Sequence, residues 1–121
     1  MRTSIQIASR LALPFLALAL LAAPALAADA TYVGTWASDP HQCKNAQDSP
    51  EAPLVMTNDG YDQHEAHCKF KSVTPGDGEW KIAADCSVEG DTQPMDFTLT
   101  VSGDTLTLTD DTGGRDLLRC N

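Results

Sequence analysis

Basic residues are scarce in this chain, with 8 lysines and arginines against 17 aspartates and glutamates. Arg2 and Arg10 both fall in the first 27 residues, which leaves 6 basic and 17 acidic residues afterwards, a net charge of −11. That balance excludes nucleic acid, whose phosphates need a basic surface, and an anionic membrane surface. It fits two situations, an exported protein kept soluble by its charge or one that attracts a basic partner such as a cationic enzyme or peptide.

The patterns of the common catalytic and metal sites are also missing. The sequence has no C-x-x-C pair and no serine in a G-x-S-x-G turn, so zinc-knuckle and nucleophile-elbow chemistry have no foothold. Neither Asn58-Asp59-Gly60-Tyr61-Asp62 nor Asp110-Asp111-Thr112-Gly113-Gly114 has the glycine-sixth, glutamate-twelfth spacing of a calcium loop, and both read as turns. His64-Glu65-Ala66-His67 is one residue short of the zinc-protease motif. In a strand, residues three apart point to opposite faces, so His64 and His67 would not share an ion. The expectation is therefore a protein that is not an enzyme and has no cofactor. Metal binding through His64 and His67 is kept as an alternative.

Only one long apolar run exists, Leu11 to Leu21, broken by Pro14. It is shorter than the ~20 residues a bilayer span requires. Arg2 and Arg10 precede or flank it, and Ala25-Leu26-Ala27 follows as a small-x-small cleavage site. Residues 1–27 thus read as a signal peptide removed before Ala28. The first cysteine is Cys43, so no lipid-anchor cysteine stands at the cleavage point. The expected product is a single domain, residues 28–121, in the periplasm of a Gram-negative bacterium or secreted. All four cysteines, Cys43, Cys68, Cys86 and Cys120, lie in it. An even count in a small exported chain predicts two disulfides.

Helical periodicity is nearly absent, and period-two alternation takes its place. Trp80, Ile82, Ala84, Cys86 and Val88 alternate with polar neighbours, as do Met95, Phe97, Leu99 and Val101, and then Leu106 and Leu108. Three hairpin loops can be read between the strands. With Gly103-Asp104 as a two-residue loop, Val101 faces Leu106 and Leu99 faces Leu108. With Gly90-Asp91 as another, Cys86 faces Met95, Ala84 faces Phe97 and Ile82 faces Leu99. With Gly76-Asp77-Gly78 as a three-residue loop, Ser72 faces Ile82, Phe70 faces Ala84 and Cys68 faces Cys86. The last pairing favours disulfides 68–86 and 43–120, with 43–68 and 86–120 as the rival. Thr31–Ala37, Leu54–Thr57 and Arg115–Cys120 complete about seven strands, and Ser38-Asp39-Pro40, with a capping residue and a proline, suits one short helical turn over residues 39–46. The expected fold is all-β, a small antiparallel up-and-down meander or barrel stapled by two disulfides.

Tyr32-Val33-Gly34-Thr35-Trp36 and Arg119-Cys120 carry a resemblance. Gly34-Thr35-Trp36 resembles the opening strand of the calycin barrels, namely lipocalins, fatty-acid-binding proteins and the avidin type. The full pattern is similar to small exported proteins of Gram-negative bacteria. The resemblance implies a barrel whose closed end pairs Trp36 with Arg119 by cation–π stacking. It implies no ligand. Thr109-Asp110 is followed by Asp111, so the lipocalin Thr-Asp-Tyr motif is unmatched. The basic pair of the fatty-acid binders and the biotin site also have no counterpart.

Trp80, Phe70, Phe97, Met95 and Leu99 are expected to converge in the interior, as a filled core or as a small apolar pocket, with Ala66, Ala84 and Ser72 supplying any spare volume. The functional expectation is an exported, non-catalytic binding module. Its alternatives are an inhibitor or binder of a basic protein of the lysozyme or protease kind, a carrier of a small apolar ligand, and the metal binder above.

Overall fold

A computed structural model describes residues 29–121; the expected signal peptide, residues 1–27, lies outside the described residues. Eight antiparallel strands follow in order: β1 Gly34–Ala37, β2 Leu54–Thr57, β3 Gly60–Gln63, β4 Ala66–Pro75, β5 Glu79–Val88, β6 Asp91–Ser102, β7 Thr105–Asp110 and β8 Gly113–Arg119. Each pairs with the next, and β8 returns to β1 through Trp36↔Arg119 and Ala37↔Leu118, closing a barrel. Among the described residues no helix is long and apolar enough to cross a membrane.

The alternating residues do what their period demands. Ile82, Ala84 and Cys86 of β5, Phe97 and Leu99 of β6, and Leu106 and Leu108 of β7 are all buried, joined in one core by Trp36, Leu54, Met56 and Leu117. The eighth strand, β3, is additional to those expected. It is only four residues long, Gly60–Gln63, and two residues, Asn58-Asp59, separate it from β2. β1 is shorter than expected. Thr31-Tyr32 forms a turn instead, closed by the Val33 amide donating to the Ala30 carbonyl at 2.9 Å. The expected helical turn is a 3-10 turn, Pro40–Lys44. Asp39 caps it by accepting from the His41 amide, and proline occupies its start.

The hairpin registers separate local from long-range control. The β6–β7 pairing is as expected, with Val101↔Leu106 and Leu99↔Leu108 around a loop in which Gly103 has φ 58°. Between β5 and β6 the loop is Glu89-Gly90 rather than Gly90-Asp91. Both residues hold positive φ, 51° and 90°, the requirement of the mirror-image turn that suits strand twist. The register moves by two residues, giving Cys86↔Gln93, Ala84↔Met95, Ile82↔Phe97 and Trp80↔Leu99. A two-residue slip keeps every side chain on its own face, whereas a one-residue slip would not.

Between β4 and β5 the tip is one residue longer than expected, pairing Val73 with Ile82 and Ser72 with Ala83. Ser72 therefore points outward, not into the core. An irregularity between Phe70 and Ser72 then takes up the extra residue, Lys71, as a β-bulge. Below it Phe70↔Ala84 and Cys68↔Cys86 are in the expected register. Cys68–Cys86 is a disulfide inside the barrel, and Cys43–Cys120 is the other, tying the 3-10 turn to the end of β8. Two disulfides and no free cysteine are compatible with an oxidising extracellular or periplasmic location.

Strand lengths are unequal, so the long sheet β4–β5–β6 overhangs its neighbours. β6 meets β7 only from Thr98 onward, leaving Asp91–Phe97 without a β7 partner. β4 meets β3 only through Lys69, leaving Lys71–Pro75 without a β3 partner.

Candidate functional site

One end of the barrel is sealed by Trp36 and Arg119. The indole is fully buried, and the Arg119 guanidinium carbon lies 4.2 Å from its ring centre. Gly34 makes this possible. It holds φ 147°, and a Cβ there would come within 3.0 Å of Arg119 Nη1. The Gly-x-Trp spacing thus reserves space for an arginine 85 residues downstream in sequence. The guanidinium then donates to the Thr31 carbonyl at 2.9 Å and the Val33 carbonyl at 3.3 Å. Trp36 Nε1 donates to the Tyr32 carbonyl at 2.9 Å. These bonds fold residues 31–33 across the barrel end.

Tyr32, expected in the first strand, is instead the plug so formed. Its ring meets Trp80 at 5.1 Å and Phe70 at 6.2 Å; Phe70 meets Phe97 at 5.8 Å, and Phe97 meets Tyr61 at 5.9 Å, all edge-on. Trp80, Phe70, Phe97 and Leu99 therefore do converge inside, with Met95 packed against the same core. Tyr32 and Tyr61 are two further members of this cluster. Tyr61 was detectable in principle, since it stands opposite both Met56 and Cys68 once β3 is drawn. These rings are in mutual edge-on contact across the interior.

The other end is polar. Gln63 donates to the Ala52 carbonyl at 3.1 Å and accepts from Arg115 Nη2 at 3.3 Å, so a side-chain bridge crosses the mouth from the β1–β2 connection to β8. Tyr61 lies beneath it. Burial raises its pKa, the Asp110 charge adds to that, and Arg115 partly offsets it. Tyr32 is raised too, by burial and then by Asp59. Asp110 is lowered, chiefly because the Thr112 hydroxyl donates to it at 2.6 Å and the Thr112 amide at 2.9 Å.

The histidines are separated by backbone form rather than by strand parity. His64 sits in the β3–β4 turn with φ 53°, not in a strand. Its Nδ1 lies 3.1 Å from the Gln47 carbonyl, while its amide donates to Gln47 Oε1. His67 is on β4, with Nδ1 2.6 Å from Asp62 on the facing strand. Among the described residues no group of three or more histidine, cysteine, aspartate or glutamate side chains is gathered as a metal site.

The acidic surface has a definite layout. The six hairpin loops are Asn58-Asp59, His64-Glu65, Gly76-Asp77-Gly78, Glu89-Gly90, Gly103-Asp104 and Asp111-Thr112. Each carries one carboxylate, and none carries a lysine or arginine. Among the described residues, only Asp85 and Asp104 reach salt-bridge distance of a lysine or arginine, at 3.2 Å to Lys71 and 3.7 Å to Arg119. Among the described residues, five of the six loop carboxylates therefore have no lysine or arginine at salt-bridge distance. No protein-family model, no curated protein and no solved structure matches this chain.

Proposed function

We propose that this chain is an exported, non-catalytic binding module that holds a basic protein, of the lysozyme or protease kind, through its outer surface and loops. The observation that carries the proposal is the charge of the hairpin loops, six carboxylates and no cation. Spread evenly, the 17 acidic residues would place about two carboxylates in these loops rather than six, and such a field steers and retains a cationic partner. The ring contacts inside the barrel turn the reading away from a small apolar ligand and toward the exterior. The two disulfides suit a periplasmic or secreted site of action, in keeping with the signal-peptide reading. The closed meander with its Trp36–Arg119 end suits the calycin-like resemblance, which contributes a scaffold and leaves the partner to surface chemistry.

The test is calorimetric titration of a cationic lysozyme, a cationic protease and polylysine into the purified domain at low and high salt. Binding that weakens as salt rises supports the proposal. Absence of binding to all three at low salt overturns it.

A further inference from the structure

The overhang of β6 gives that reading a specific docking place. In the β5–β6 ladder the Val101 amide donates to the Gly78 carbonyl, and the register runs without a shift to Val88↔Asp91. Backbone groups alternate in direction along an antiparallel strand. The odd-numbered residues of β6 therefore bond to β5, and the even-numbered ones face the other way. Thr98, Thr100 and Ser102 find β7 there. Thr92, Pro94 and Asp96 find no strand, so the amides of Thr92 and Asp96 and the carbonyls of all three line an open edge.

A cleft of about 360 Å³ runs beside this edge, lined by Gln93, Pro94, Met95, Asp96 and the Asp111 turn. Its charged lining residues are both aspartates, Asp91 stands at the start of the strand, and no lysine or arginine lines it. The edge of β4 is different. It is bulged at Lys71, and its lysine would repel a cation. Among the described strands, regular unpaired backbone and negative charge coincide only on β6.

We propose that the Asp91–Asp96 edge of β6 accepts an extended, lysine- or arginine-bearing segment of the partner as an added β-strand. The main-chain groups of Thr92, Pro94 and Asp96 supply the hydrogen bonds, and Asp91, Asp96 and Asp111 select for cationic side chains. Pro94 removes one donor from the edge without breaking the β5 ladder. That weakens pairing with an indiscriminate strand and leaves charge to decide. The proposal rests on the basic-partner reading above but is narrower than it.

The experiment uses residues 28–121 with disulfides formed and two fluorescent peptides of equal charge. One alternates lysine and threonine; the other replaces the threonines by proline and cannot form a ladder. Affinity is read by anisotropy at low salt, and amide protection by hydrogen exchange. The expected result is tighter binding of the first peptide by about tenfold, with exchange at Thr92 and Asp96 slowed by a similar factor. Thr92→Pro, which strips one edge donor and no β5 bond, should weaken binding about tenfold with the melting temperature held. Equal binding of the two peptides, protection at Val73 on the β4 edge instead, or an unaffected Thr92→Pro variant overturns the edge. If lysozyme binds and neither peptide does, the edge is overturned and the basic-partner reading stands. If none of the cationic probes binds, both are overturned.

Discussion

The guanidinium of Arg119 lies 4.2 Å from the ring centre of Trp36 and also holds the carbonyls of Thr31 and Val33. One side chain from the last strand thus packs against the first and pins the segment that plugs the barrel end. Arg119→Ala should lower stability by about 1–3 kcal/mol, from the lost stacking and charge-assisted bonds. Trp36→Ala should lower it by about 3–5 kcal/mol, because a fully buried indole leaves a cavity. Gly34→Ala should also destabilise, although it adds only a methyl group, since both φ and Arg119 oppose it. Urea unfolding of the three variants checks the ranking. A Gly34→Ala variant as stable as the parent would refute the account of the Gly-x-Trp spacing.

The two disulfides should contribute unequally. Their sequence separations are 18 for Cys68–Cys86 and 77 for Cys43–Cys120. In the chain-entropy picture these correspond to about 3 and about 4.5 kcal/mol of restraint on the unfolded chain. Paired Cys→Ser variants, compared in urea, should show the larger loss for Cys43 and Cys120.

Tyr32 and Tyr61 are the only tyrosines of the chain, and both have raised pKa values. A folded pKa above the unfolded one contributes stability that is complete below the unfolded value and is lost as pH rises through the folded one. Absorbance at 295 nm should therefore show less tyrosinate than free tyrosine gives at the same pH while the barrel is folded. Ionisation and unfolding should arrive together at higher pH. Asp110 works in the opposite sense. Its lowered pKa adds stability above the unfolded value that disappears as pH falls, so Asp110→Asn should flatten the acid limb of the stability curve.

The edge of β4 is guarded by Pro75. The Gly76 amide donates to the Glu79 carbonyl, so even-numbered residues near the tip face β5, and Pro75 and Val73 face solvent. A proline there costs no ladder bond and denies a donor to any incoming strand. Pro75→Thr should restore the donor beside Val73, which is 37% exposed, and promote self-association. Sedimentation at rising concentration reads the effect, and a variant that stays monomeric removes Pro75 from this role.

Legibility in the sequence followed the range of the interaction. The Gly103-Asp104 hairpin and the Cys68–Cys86 pairing could be read because glycine and face alternation both act locally. The Glu89-Gly90 turn could not, because a glutamate at positive φ has no propensity that announces it. Lys71 entered the bulge for a tertiary reason, the need to bring Cys68 opposite Cys86 after a longer tip. Tyr32 escaped notice because its position depends on Arg119, 87 residues later. The acidic loops became visible only when topology sorted residues into loops and strands. The unpaired β6 edge needed the observed end of β7.

The Cys43–Cys120 bridge has a consequence beyond stability. It joins the segment before β2 to the segment after β8, so all six hairpin loops lie inside one covalent ring. A protease that cuts any single loop opens that ring into a chain and releases neither half. Strands on both sides of the nick stay tethered and able to re-pair. One cut at the most accessible points of the fold therefore need not end its working life.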